Sequence, residues 1–98
     1  MIVVRDVFQA KYGKGGELVK LLKEAQSILP PTYAERVLTD ASGQFFTVVT
    51  EAEVANLAEW ERVQKTVFAN PEFGKFFAQM QPLVESGRRE FYNVETAR

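Results

Sequence analysis

The sequence predicts a single α+β domain of ferredoxin-like βαββαβ topology, with a four-stranded antiparallel sheet and its helices on one face. Three observations predict it. The hydrophobic period alternates along the chain between the two residues of a strand and the three to four of a helix, in the order strand, helix, strand, strand, helix, strand. At 98 residues there is room for one core, so residues 1–98 form one domain with no linker. Two helical crossovers around a central hairpin interleave into one sheet.

Ile2 to Gln9 is rich in β-branched and aromatic residues and reads as the first strand. Tyr12-Gly13-Lys14-Gly15-Gly16 follows, and its glycines suit a turn rather than a helix or strand interior. Leu18, Leu21, Leu22, Ala25, Ile28 and Leu29 then recur at helical spacing opposite Lys14, Glu17, Lys20, Lys23 and Glu24, until Pro30-Pro31 stops the helix. Tyr33 to Thr39 and Gln44 to Glu51 are strand-like, and Asp40-Ala41-Ser42-Gly43 between them suits a hairpin. From Ala52 to Phe68 the period is helical, with Val54, Leu57, Trp60, Val63, Val67 and Phe68 on one broad face. Asn70-Pro71-Glu72 has the form of a fresh helix start and opens a short helix through Phe73, Phe76, Phe77 and Met80, with Pro82 and Gly87 bracketing its irregular end. Arg88 to Glu95 alternates around Phe91, Tyr92 and Val94 as the last strand, and a polar tail follows.

A sheet covered on one face should alternate apolar and polar residues. Here both faces read as apolar: Phe45 and Val49 oppose Phe46 and Val48 in the third strand, and Ile2, Val4 and Phe8 oppose Val3 and Val7 in the first. Two main helices cover only one face, so the open one calls for a partner, and a second copy of the chain is the simplest. The alternative is that the Phe73 to Met80 helix folds back over that face.

The composition is that of an ordinary globular protein, 46% hydrophobic and 26% charged with a formal net charge of -1. That charge favours no polyanionic partner, so nucleic acid is not expected. Ile2-Val3-Val4 is too short for a signal segment, and no apolar run approaches the ~20 residues of a membrane span. No membrane partner is expected, and the protein reads as cytoplasmic. The absence of cysteine agrees with that compartment. The absence of histidine excludes Ser-His-Asp and Cys-His nucleophiles, and with cysteine also missing it excludes Cys/His zinc sites. No metal and no cofactor is expected, and no catalytic residue declares itself.

Several residues are candidates for binding. Arg5, Arg36, Glu90 and Tyr92 are polar residues within apolar strands, where burial demands pairing. Arg5 or Arg36 could anchor a small carboxylate and Tyr92 could orient a carbonyl or enolate, or Arg and Glu form structural ion pairs at an edge or dimer interface, with Asp6 available to either arginine. Trp60, with Phe46 and Phe68, could line a flat apolar pocket for an aromatic ligand, although aromatics at helical spacing also serve as core. Gly13-Lys14-Gly15-Gly16 has part of a phosphate-binding pattern, without the Lys-Ser/Thr ending that completes it.

Ala58-Glu59-Trp60-Glu61-Arg62-Val63, Asn70-Pro71-Glu72-Phe73, Phe77, Pro82-Leu83-Val84 and Arg89-Glu90-Phe91-Tyr92 together resemble the second half of NIPSNAP-like domains. That family lies in the dimeric α/β-barrel superfamily, with antibiotic-biosynthesis-type monooxygenases as relatives. The resemblance implies a dimeric α/β barrel, a homodimer formed by packing two sheets face to face. It also implies, for some members, a small ligand held between sheet and helices. Haem-degrading members ligate iron through a histidine, which this chain lacks, and no catalytic residue carries over. The expected function is a dimerisation and small-molecule-binding module. The alternative is a cofactor-independent oxygenase or isomerase acting on a small conjugated anionic substrate. A closed, partly polar cavity between helices and sheet, lined by strand arginines rather than filled by side chains, would favour a ligand.

Overall fold

The computed structural model describes residues 1–96. The elements run β1 (Ile2–Ala10), α1 (Gly15–Ala25), a 3-10 turn (Gln26–Ile28), β2 (Arg36–Thr39), β3 (Thr47–Val54), α2 (Leu57–Ala69), α3 (Glu72–Met80), a second 3-10 turn (Gln81–Leu83) and β4 (Val84–Asn93). The strands form one sheet in the order β2-β3-β1-β4, and every neighbouring pair is antiparallel. This is the expected ferredoxin-like α+β arrangement.

Alternation along the strands sorts the side chains. Val4 and Ala10 of β1 and Val48, Thr50, Ala52 and Val54 of β3 are buried under the helices. The core forms where α1 lays Leu18 and Leu22, one turn apart, against Ala10 and Val48. Each such large apolar side chain contributes about 1.5–3 kcal/mol through burial. Helix α3 packs on α1 and α2, in the helical layer, and does not cross to the other face of the sheet.

The other face is less apolar than the sequence suggests, because β3 begins at Thr47 and leaves Phe45 and Phe46 in the connection. The register places Val7, Val49 and Leu38 side by side on this face, flanked by Arg5, Glu51, Arg36, Arg88, Glu90 and Tyr92. The connection is longer than the four residues expected of a hairpin. Asp40 closes it, donating its N–H to the Thr47 carbonyl (3.2 Å) and accepting from the Thr47 N–H through its carboxylate (3.1 Å). Within it Phe46 has a φ of 60°, uncommon for a bulky residue. Its carbonyl accepts from Ala10 N–H at 3.0 Å and its ring meets Tyr12 edge-on at 4.9 Å.

Other boundaries also shift. β2 starts at Arg36 rather than Tyr33, since Tyr33 N–H bonds to the Pro30 carbonyl in a turn. β3 continues through Ala52 and Val54, which extend its alternation, so α2 starts at Leu57 rather than Ala52. Asn56 sets that start: its side chain accepts from Glu59 N–H at 2.9 Å, and Glu59 reaches back to Ala55 N–H at 2.5 Å. β4 starts at Val84 and ends at Asn93, taking Gly87 into the strand opposite Phe8. Gly15 and Gly16 belong to the first turn of α1.

Candidate functional site

A cavity of about 280 Å³ lies between the helices and the sheet. Its floor is Asp6 and Phe8 of β1, Thr50 of β3 and Arg89 of β4. Its walls are Leu22 and Ala25 of α1, Gln64, Val67 and Phe68 of α2, and Phe73, Phe76, Phe77 and Met80 of α3. Tyr33 and Glu35, from the segment leading into β2, complete it. Gln64 apart, the walls are apolar because the phenylalanines of α3 line them, with Phe77 and the neighbouring Phe68 also reaching solvent: Phe73 packs edge-on to Phe68 at 5.0 Å and stacks with Phe77 at 6.0 Å.

The floor carries the charge. Asp6 occupies the helix-facing side of β1, and the register sets Arg89 directly opposite. Arg89 donates to both carboxylate oxygens, Nε to Oδ1 at 2.6 Å and Nη2 to Oδ2 at 3.1 Å. Its guanidinium also lies over the Trp60 ring, 5.0 Å from the centroid. Hydrogen bonding to Asp6 holds the Arg89 pKa above its ordinary value.

Glu35 differs. Burial, and after it the charge of Asp6, pushes its carboxyl up to about 7, and among the described residues no hydrogen bond or opposite charge offsets them. Burial, then Glu35 and Asp6, pushes the Tyr33 phenol up to about 12, so it keeps its proton and remains a donor at neutral pH. The arrangement is an aromatic-walled chamber with one polar corner, where a carboxyl that titrates near neutrality adjoins a phenol.

The residues singled out from the sequence occupy three separate places. Arg5, Arg36 and Tyr92 come together on the open face of the sheet. Arg5 donates to Glu51 Oε2 from Nε at 3.0 Å and Nη2 at 2.6 Å, and its guanidinium carbon lies 5.4 Å from the Tyr92 centroid. Arg36 bonds the other oxygen of Glu51. Hydrogen bonds from Arg36 first, then Arg5, hold the Glu51 carboxyl below its ordinary value. Here the structural ion-pair reading applies, and both arginines point away from the cavity. Asp6 serves neither of them. Trp60 packs edge-on to Phe91 at 5.1 Å, behind Arg89. Phe46 lines a more open recess with Tyr12 and Gly15. A Cβ on Gly15 would sit 3.0 Å from Phe46 Cδ1, so that glycine serves close packing at the helix start.

Phe68 alone of the predicted aromatic pocket lines the cavity. Asp6, Tyr33, Glu35, Thr50 and Arg89 were not singled out as a site. One signal was available: Asp6 interrupts the apolar series Ile2, Val4, Phe8 and Ala10 on the core-facing side of β1, and a buried charge there requires a partner.

An antiparallel sheet roofed on one side by helices, with a chamber between the layers, places the protein among ferredoxin-like α+β domains. More particularly, it has the fold of the NIPSNAP domain proteins and of the antibiotic-biosynthesis-monooxygenase-like proteins. It superposes on an uncharacterised NIPSNAP domain protein from Burkholderia xenovorans with a TM-score of 0.87 at 20% identity, covering 96% of this chain and 94% of that one. A NIPSNAP family protein from Agrobacterium tumefaciens gives 0.82 at 18% identity, covering 98% and 88%. SnoaB, a cofactor-independent oxygenase from Streptomyces nogalater, gives 0.71 at 12% identity, covering 98% and 94%. No protein-family model and no curated protein matches the sequence. Among the described residues no helix is long and apolar enough to cross a membrane, and no group of three acidic side chains is placed to hold a metal ion.

Proposed function

We propose that this chain is a cytoplasmic, homodimeric small-molecule-binding domain whose ligand is compact, flat and mostly apolar and lies between the helices and the sheet. The cavity carries this reading. At about 280 Å³ it is near the lower end of the ~300–1,000 Å³ of small-molecule pockets. Apolar cavities of about 150 Å³ hold benzene, so this one accommodates a two-ring body. Dimerisation through Val7, Leu38 and Val49 is part of the same reading, since α3 stays in the helical layer and leaves that face uncovered.

Catalysis without a cofactor is a second reading, favoured by one observation besides the likeness to SnoaB. A carboxyl brought to about 7 can accept or return a proton at neutral pH, the condition for a general acid or base.

Titration with 2-naphthol, followed by backbone and methyl chemical shifts, tests the binding reading. Perturbations should cluster at Phe8, Leu22, Phe73 and Met80 and should vanish in Ala25→Trp, a filled-cavity variant whose fold is checked by circular dichroism. Perturbations confined to the open sheet face, or unchanged by the filling, would refute it.

A further inference from the structure

The cavity's charge does not suit an anion. Two carboxyl groups and one guanidinium line it. The guanidinium is already committed: Asp6 takes Nε and Nη2, and the Trp60 ring covers one face of the group. Among the described lining residues an incoming carboxylate would find no uncommitted cation, and it would meet the fields of Asp6 and Glu35. With Glu35 ionised the lining carries one net negative charge, and with Glu35 protonated it is neutral.

The remaining side chains favour the opposite sign. The ionisable groups that line the cavity with Glu35 are Tyr33 on its own segment, Asp6 on β1 and Arg89 on β4. Thr50 of β3 and Gln64 of α2 present neutral polar groups, while α1 and α3 present only apolar side chains. Phe68, Phe73, Phe76 and Phe77 offer π faces and edges along the wall, and such rings attract a cation.

We propose that the ligand is an amphiphilic amine, an ammonium group on a one- or two-ring apolar body, with the ammonium bonded to Glu35 and the body against the phenylalanines of α2 and α3. This rests on the reading of the cavity as a ligand site and specifies the ligand's charge. An ammonium supplies the partner that Glu35 lacks among the described residues, and it carries three donors that can also reach the Thr50 hydroxyl or the Gln64 carbonyl. Its charge stabilises the ionised form of Glu35. Below the carboxyl's folded pKa, binding therefore releases a proton to the solvent, and affinity rises with pH until Glu35 is ionised in the free protein.

Three probes of nearly equal shape test this by calorimetry at pH 8.0 and 5.5: 2-(1-naphthyl)ethylamine, 1-naphthaleneethanol and 1-naphthaleneacetic acid. The amine should bind at least tenfold more tightly than the acid at pH 8.0, with the alcohol between them, and should lose about tenfold at pH 5.5. Repeating the amine titration at pH 6.5 in buffers of different ionisation enthalpy should register proton release. Glu35→Gln should weaken the amine about tenfold and the alcohol far less. If the alcohol binds in the cavity but the amine has no advantage, or the acid binds best, the charge assignment is overturned and the cavity reading survives. If none of the three binds, the cavity reading itself fails and this inference with it.

Discussion

Asp6 and Arg89 face each other across β1 and β4 on the helix side of the sheet, joined by two hydrogen bonds of 2.6 and 3.1 Å. Their side chains are 22% and 41% exposed, so the pair is neither a free surface contact nor a fully desolvated one.

Replacing Asp6 by Asn should therefore cost about 1 kcal/mol, near the top of the range for exposed pairs and well below the roughly 3–5 kcal/mol of a fully buried one. For a domain of this size that is a fall in Tm of about 4–8 °C. A double-mutant cycle with Arg89→Gln, read by urea unfolding, should return a coupling of about the same size. Additive single effects would mean that the two groups are solvated independently.

Stability should fall as pH rises from about 4.5 to about 7. Glu35 is protonated in the folded chain up to about 7, whereas in the unfolded chain it releases its proton near the ordinary value of about 4.3. Across that window the native state binds more protons, and by linkage the slope of unfolding free energy against pH is negative. A difference of two to three pKa units corresponds to roughly 3 kcal/mol. Urea midpoints at pH 5 and pH 8 measure the fall, and Glu35→Gln should flatten it. Glu51 acts in the opposite sense on the acid side, since its lowered pKa contributes stability that is lost as pH falls through that value.

Val49→Glu should separate a dimer while leaving the monomer folded. Val49 sits at the centre of the open face, opposite Val7 and Leu38. Light scattering at micromolar concentration should change from twice the 11.1 kDa chain mass to the chain mass itself. Val48→Glu is the contrasting variant: Val48 is 1% exposed in the core beside Leu18, and a buried charge there should unfold the domain. A wild type that is monomeric at these concentrations would refute dimerisation through this face.

Gly87→Ala should change stability by less than about 1 kcal/mol yet weaken 2-naphthol binding severalfold. An added methyl would sit 3.3 Å from Phe8 Cδ1 and 3.4 Å from the Val7 carbonyl oxygen, and Phe8 lines the cavity, so the ring can yield toward that space. A loss above about 2 kcal/mol would show that the ring is held fast.

The fold was legible because its main signals are local. Leu18 and Leu22 announce α1, and the alternation of β1 survives into the structure with one added residue. The start of β3 was misplaced because Phe45 and Phe46 have strand-like side chains but sit in a connection closed by Asp40, a contact across seven residues that side-chain preference does not encode. Its end was misplaced because Val54 and Leu57 are three apart and mimic a helix, although Asn56 and Glu59 already spell the cap. Gly87 reads from the sequence as a bracket to the irregular end of α3, whereas a strand glycine also marks the close approach of a neighbour, here Phe8. The site was harder to read because Glu35 and Tyr33 lie in an irregular segment, and Arg89 shares its polarity with Arg88 and Glu90. Only the register of β4 on β1 decides which of these faces the helices.

The cavity draws its ring-bearing wall and its charged floor from different parts of the chain. Phe73, Phe76 and Phe77 belong to α3, a helix with no fully buried residue, while Asp6, Thr50 and Arg89 are fixed in the sheet and Glu35 lies in the segment leading into β2. Substitutions along α3 can therefore resize or reshape the chamber without disturbing the groups that set its charge. Size preference and charge preference are then separately adjustable traits, so a lineage or a designer could retarget the domain to a bulkier ligand of the same charge by altering α3 alone.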